Sequence, residues 1–163
     1  MKVAGLGVDF ISAMAPGGNA FEVLPQLWGR VSALIEGVVG DGAASAFNSW
    51  MVGAIGEAEQ AAGTAEGLLN YFAGVRVDGL AEQQVQALVN AGLQVRSYSA
   101  GRFAVCEHVG PLEGLGDTTA WFYQTWLPAE GLEERWVHHY EIYDERFDMN
   151  SPHSVVMICA PVV

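Results

Sequence analysis

The order of predicted elements repeats along this chain, and the repeat restricts the fold more than any other feature. A strand, a helix and two further strands are predicted within residues 2–77, and the same order is predicted within residues 103–162. One such half cannot bury the apolar face of its own sheet. We therefore predict an α+β fold of duplicated strand-helix-strand-strand halves with pseudo-twofold symmetry. It would have a curved antiparallel sheet, two long helices and a groove between the halves.

A single domain over residues 1–163 accommodates this arrangement. The half-repeats cover about 1–78 and 93–163, and a linker with a short helix covers 79–92. The chain has the length of an ordinary domain, and its hydrophobic content of 51% is sufficient for a core. In the first helix Pro25 is placed in the first turn, where the missing N–H is tolerated. The segments 94–98 and 103–109 are predicted as a strand or a hairpin that turns at residues 99–101.

The charge balance limits the partners. Seven Lys and Arg residues stand against nineteen Asp and Glu residues, for a net charge of −12. Such a surface repels phosphate backbones and anionic lipids, so direct nucleic-acid binding and a membrane partner are not expected. The same field concentrates cationic small molecules near the protein. The alternative is that the acidity serves solubility alone.

Cysteines and histidines give no sign of a metal or cofactor site. Cys106 and Cys159 lie in apolar runs without metal-ligand spacing, which predicts buried reduced thiols, with a disulfide between neighbouring strands as the alternative. His138 and His139 are adjacent on a predicted strand and point to opposite faces. No apolar stretch approaches the roughly 18 residues of a membrane span, and Asp9 interrupts the N-terminal apolar run. We expect a reduced, soluble, cytoplasmic protein.

Glu141 is the strongest indication of a binding site. Alternation along the predicted strand 136–144 places Glu141 on one face with His139 and Tyr143. A carboxylate on a strand that faces a core is costly unless a positive charge meets it, and an incoming organic cation would supply that charge. Aromatic walls add about 0.5–2 kcal/mol of cation–π attraction each. The predicted ligand-binding residues are Glu141, Tyr143, His139, Trp126, Tyr71, Tyr98 and Trp121. The alternative is that Arg146 or Arg102 pairs with Glu141 and that the aromatic residues belong to the core.

Several segments of the chain carry a family resemblance. They are Gly101–Pro111, Trp126–Gly131, Tyr140–Phe147 and Met157–Val162, with looser matches at Gln26–Trp28 and Gly74–Val77. In this order and spacing they resemble the GyrI-like effector-binding domains, small-molecule modules that occur fused to AraC- and MerR-type regulators and also alone. The Gly- and Ala-rich region 40–67 is less aromatic than the resemblance would imply. The resemblance implies flat, lipophilic, cationic ligands.

Three functions from different classes follow. The first, and the one we predict, is a stand-alone module that captures hydrophobic cationic small molecules for drug or effector sensing or for sequestration, with any transcription regulation exerted through a separate partner. The second, implied by the resemblance, is a hydrolase of strained cyclopropane-type compounds, with Glu141 as a general base and Tyr143 or Trp126 holding the substrate. The third is a DNA gyrase-modulating protein whose acidic surface mimics DNA charge.

Overall fold

A single antiparallel sheet is the centre of the fold. The structure is a computed structural model that describes residues 1–39, 50–58, 66–135 and 137–163. Within these residues the strands are β1 (Lys2–Ile11), β2 (Met51–Glu57), β3 (Leu68–Arg76), β4 (Gln94–Ser97), β5 (Phe103–Val109), β6 (His139–Tyr143) and β7 (Val155–Pro161). They lie in the order β4-β1-β3-β2-β6-β7-β5, and each neighbouring pair is antiparallel. The predicted α+β class is confirmed.

Three helical regions accompany the sheet in the described part of the chain. The first is α1 (Ala20–Val39), and the second is α2 (Glu82–Asn90) within the predicted linker. The third begins as a 3-10 turn (Leu112–Gly114) and α3 (Leu115–Trp121), passes through a π-helical segment (Phe122–Trp126) and ends as α4 (Leu127–Ala129). None of the helices in the described part of the chain is long and apolar enough to cross a membrane.

The first helix forms because its apolar residues recur at helical spacing. Leu27, Val31 and Ile35 are buried and belong to one core cluster with Tyr71 and Ala73 of β3. This stripe binds the helix to the sheet.

Pro25 does not lie where the sequence predicted it. The helix begins at Ala20, so Pro25 is its sixth residue and lies in the second turn. There the carbonyl of Phe21 loses its usual N–H donor four residues later.

The two helices that follow β1 and β5 pack on the same face of the sheet. Residues paired across neighbouring strands share a face, which places Ala73, Gly53, Glu141 and Ile158 in one row. Ala73 packs in the cluster of α1, and Ile158 packs with Phe122 of the π-helical segment. Glu141 therefore lies between the two helices, at the middle of this face. We call the face that carries Glu141 the groove face.

One of the sequence alternatives needs correction. The segments β4 and β5 do not form a hairpin, because β4 pairs with β1 at one edge of the sheet and β5 pairs with β7 at the other. The cysteines are free thiols, as predicted: Cys159 is buried and lies opposite Val105, whereas Cys106 is half-buried and points to the other face. Residue 136, where the predicted strand 136–144 begins, lies outside the described part of the chain. Residues 40–49 and 59–65 of the Gly- and Ala-rich region also lie outside it.

Candidate functional site

The carboxylate of Glu141 is the centre of the candidate site. The residue is half-buried, and its Oε2 accepts hydrogen bonds from the hydroxyl of Tyr71 at 2.6 Å and from that of Tyr143 at 2.9 Å. Neither Arg146 nor Arg102, the two arginines considered as partners, pairs with Glu141. Arg146 pairs with Asp144 and Glu107, and Arg102 donates to the carbonyl of Val163. Both hydrogen-bond donors to Glu141 are therefore neutral phenols.

A glycine on β2 makes this hydrogen bond possible. Tyr71 lies on β3 opposite Ile55, and its side chain reaches diagonally over Gly53 to Glu141 on β6. A Cβ at Gly53 would overlap the Tyr71 hydroxyl. The glycine thus provides the space in which a tyrosine of one strand reaches a carboxylate two strands away.

Trp28 of α1 forms the wall above the two tyrosines. Its Nε1 donates to the Tyr71 hydroxyl at 3.3 Å, and its ring lies 6.2 Å from that of Tyr71 and 5.3 Å from that of Tyr143, both edge to face. Phe147 extends the wall, with its ring 4.8 Å from Tyr143. Four aromatic side chains therefore form one cluster, and two of them hydrogen-bond to the carboxylate.

Desolvation controls the titration of this group. Burial raises the pKa of Glu141, and the hydrogen bonds from Tyr71 and Tyr143 oppose that rise. Burial and the neighbouring Glu141 carboxylate raise the pKa of both tyrosines, so the phenols stay protonated donors. The ionised carboxylate is thus partly satisfied by hydrogen bonds from two neutral phenols, which supply no countercharge.

A second polar group adjoins the first on the groove face. His139 lies two residues before Glu141 on β6, with Nδ1 2.8 Å from the Tyr123 hydroxyl and Nε2 3.3 Å from Oε1 of Glu134. Burial, followed by the neighbouring His138, lowers the pKa of His139 to about 4, so the imidazole is neutral at pH 7. Tyr123 belongs to the π-helical segment, an irregularity that often occurs at functional sites.

The structure brings some of the predicted ligand-binding residues together and separates others. Tyr71 and Tyr143 contact Glu141, and His139 lies beside it. Trp126 stacks on Phe122 with ring centroids 5.6 Å apart. Trp121 is exposed, and Tyr98 lies on the opposite face of the sheet against Tyr140.

Sequence reasoning did not assign Trp28, Tyr123 or Glu134 to the site. Trp28 lies on the apolar stripe of α1, and that position was the one signal from which its role could have been recognised. Another histidine, His108, has a structural role. Its Nε2 lies 3.0 Å from the Pro111 carbonyl, and its Nδ1 lies 2.8 Å from the Thr118 hydroxyl. This contact anchors the start of α3. In the described ranges, no group of three or more His, Cys, Asp or Glu residues is placed to hold a metal ion.

Comparison with known proteins defines the class of the fold. The structure of SAV2435 bound to tetraphenylphosphonium matches with a TM-score of 0.64 and 15% identity, over 100% of this chain and 88% of that chain. An integron cassette protein from Vibrio cholerae matches with a TM-score of 0.64 and 15% identity, over 100% and 90%. A hydrolase from Listeria innocua matches with a TM-score of 0.52 and 16% identity, over 100% and 87%. At these identities the likeness concerns the fold alone.

The family follows from the sequence itself. Residues 48–163 match the GyrI-like small molecule binding domain, and the chain belongs to that family. No curated protein is a significant sequence match. The family assignment confirms the resemblance found in the sequence.

Proposed function

We propose that this domain captures lipophilic cations in the groove above Glu141. The observation that carries the proposal is a desolvated carboxylate on a half-buried residue, whose hydrogen-bond donors, Tyr71 and Tyr143, are both neutral. A cation in the groove would provide the missing countercharge and so offset the cost of desolvation.

The surroundings of the carboxylate favour a cation that is also apolar. Tyr71 and Tyr143 hydrogen-bond to Glu141, Trp28 packs on both tyrosines, and each ring would offer a cation about 0.5–2 kcal/mol of cation–π attraction. The net charge of −12 raises the local concentration of cations. A protein of the same fold, SAV2435, binds tetraphenylphosphonium, which is a lipophilic cation.

Calorimetry with a charged and a neutral ligand of similar shape tests the proposal. Methyltriphenylphosphonium should bind with micromolar affinity, about 8 kcal/mol, and Glu141→Gln should weaken it by about tenfold or more. Triphenylphosphine oxide should lose little. Glu145→Gln removes the same charge from an exposed position and serves as the matched control. Equal losses for both ligands in Glu141→Gln would show that the carboxylate is not a charge partner.

The strand order supports a further part of this proposal. The order is β1-β3-β2 on one side of the sheet centre and β5-β7-β6 on the other, with one helical region after β1 and one after β5. We propose that the chain is a duplication about a pseudo-twofold axis that passes between β2 and β6. The groove would then lie at the junction of two half-repeats, where Gly53 pairs with Glu141.

Hydrolysis is the second candidate, favoured by a carboxylate that two phenols hold in one orientation. A strained cyclopropane-type substrate would be attacked by a water that Glu141 activates. Mass spectrometry of products formed in ¹⁸O-labelled water separates the two functions. We expect the ligand to be recovered unchanged. Turnover that Glu141→Gln lowers by about 10²–10⁴-fold would instead establish a hydrolase.

A further inference from the structure

Phe21 is a large aromatic residue that is not part of the site described above. Its side chain is 77% exposed, although it lies in the first turn of α1. Its ring tip nevertheless points toward the facing helix, because Cζ lies 4.0 Å from the place where a Cβ would stand on Gly116 of α3. The ring of Phe21 therefore lies near α3 with little of its surface buried.

Helix periodicity places this approach on the groove side. Phe21 precedes Trp28 by seven residues, or about two turns, so both side chains lie on the same side of α1. Gly116 precedes Tyr123 by the same interval on the facing helix. Trp28 contacts the tyrosines that bind Glu141, and Tyr123 contacts His139. The approach of Phe21 to Gly116 thus lies on the side of both helices that carries the two walls of the groove.

Pro25 weakens the attachment of the helical turn that carries Phe21. A proline at this position has no N–H to donate to the Phe21 carbonyl, and its ring crowds that carbonyl. The turn that carries Phe21 is therefore less firmly attached to the rest of α1 than an ordinary first turn.

We propose that Phe21 is the size-determining residue at the rim of the groove. Bulky cations would enter and leave only when the first turn of α1 swings about Pro25 and lifts the ring from Gly116. Slim cations would pass beside it. This inference rests on the proposed function, since it concerns the route to the same carboxylate.

Stopped-flow fluorescence with a bulky and a slim cation tests the role of Phe21. For tetraphenylphosphonium, Phe21→Ala should raise the association and dissociation rates together, on the order of tenfold. Pro25→Ala, which restores the N–H, should lower both. Phenyltrimethylammonium should change little, and so should every rate in Met149→Ala, where another large apolar side chain is 74% exposed. Unchanged tetraphenylphosphonium rates in Phe21→Ala, with binding still dependent on Glu141, would overturn the gate but not the proposed function.

A second measurement examines the gate without a ligand. In a Glu141→Cys variant the new thiol reports access to the groove, and peptide mapping separates it from Cys106 and Cys159. A bulky neutral maleimide should label position 141 several times faster when Phe21→Ala is added, and more slowly when Pro25→Ala is added. Equal labelling rates in all three backgrounds contradict the gate, even for a protein that binds no cation.

Discussion

The two faces of the sheet carry aromatic clusters of similar size but different character. On the opposite face Phe72, Tyr98, Tyr140 and Phe103 contact one another, with ring centroids 5.4–6.4 Å apart. Val3, Val52 and Cys159 complete a buried cluster there. On the groove face Trp28, Tyr71 and Tyr143 form one cluster, both tyrosines hydrogen-bond to Glu141, and part of this cluster stays exposed.

The charges on the two faces differ more than the aromatic residues do. On the opposite face Arg96 lies 4.0 Å over the Phe72 ring and donates to Asn70, which donates to Asp9. A cation and an anion of the protein are thus linked within that face. On the groove face Glu141 receives hydrogen bonds from neutral phenols. The comparison teaches that aromatic residues alone do not distinguish the two faces, whereas a carboxylate without a built-in countercharge does, and the proposed site rests on that carboxylate.

The largest expected effect separates stability from binding. Phe72 is 1% exposed, and Phe72→Ala should lower the free energy of unfolding by about 3–5 kcal/mol. The affinity of the folded fraction for methyltriphenylphosphonium should hardly change. Trp28→Ala should show the reverse pattern, with a smaller loss of stability and a clear loss of affinity. Urea unfolding and calorimetry measure both quantities, and parallel losses in the two variants would remove the distinction between the faces.

Acid should weaken the fold through the groove face. The pKa of His139 falls from 6.5 to about 4 on folding. Between these values the unfolded chain binds the proton more strongly, so stability should fall as pH decreases from 6.5 to 4, by about 3 kcal/mol for this group. His139→Gln should flatten the curve of unfolding free energy against pH. His153→Gln, in an exposed loop, should leave it unchanged. The same curve in both variants would exclude His139 as the cause.

Gly53 offers a test of the tyrosine that reaches Glu141. Gly53→Ala should displace the Tyr71 hydroxyl, break its hydrogen bond to Glu141 and cost about 1–3 kcal/mol of stability. Cation affinity should also change. Gly29→Ala is the control, because no atom lies within 4 Å of its Cβ position on α1, and it should be neutral or stabilising by up to about 1 kcal/mol. Denaturation of both variants measures the difference, and similar stabilities would mean that Tyr71 relaxes without cost.

The smallest expected effect is the pH dependence of binding. Burial raises the pKa of Glu141, and only the ionised carboxylate attracts a cation. Affinity should therefore increase as pH rises through that pKa, by up to about tenfold for each pH unit below it. Calorimetric titrations across this range should show the slope in the wild type and none in Glu141→Gln. A slope that survives the substitution points to another titrating group.

The same shift has a consequence for stability with the opposite sign. Because the folded pKa of Glu141 lies above its unfolded value, the folded state holds the proton more strongly. This contribution to stability is fully present below the unfolded pKa and is lost as pH rises through the folded pKa. Glu141→Gln should remove that loss.

Much of the fold could be predicted from local pattern. Strand alternation placed His139, Glu141 and Tyr143 on one face, and the structure agrees. Leu27, Val31 and Ile35 recur at helical spacing in the sequence and are buried on one side of α1. These predictions succeed because alternation and helical periodicity depend on residues close together in the chain.

Other features depended on contacts between distant residues. Tyr98 is near β5 in sequence, yet β4 and β5 lie at opposite edges of the sheet, so the hairpin interpretation was wrong. Tyr71 reaches Glu141 only because Gly53 lies between them on another strand. Strand alternation indicates which residues share a face, but it does not reveal which strands become neighbours.

The sequence by itself therefore indicated most of the strands and helices, the family, and Glu141 as the candidate carboxylate. The tertiary structure decided which aromatic residues contact that carboxylate. The physical reason is the distance along the chain over which each interaction acts. Backbone conformation and amphipathic pattern are set within a few residues, but the pairing of Gly53 with Glu141, and of Trp28 with Tyr71, depends on how the whole sheet and α1 pack together.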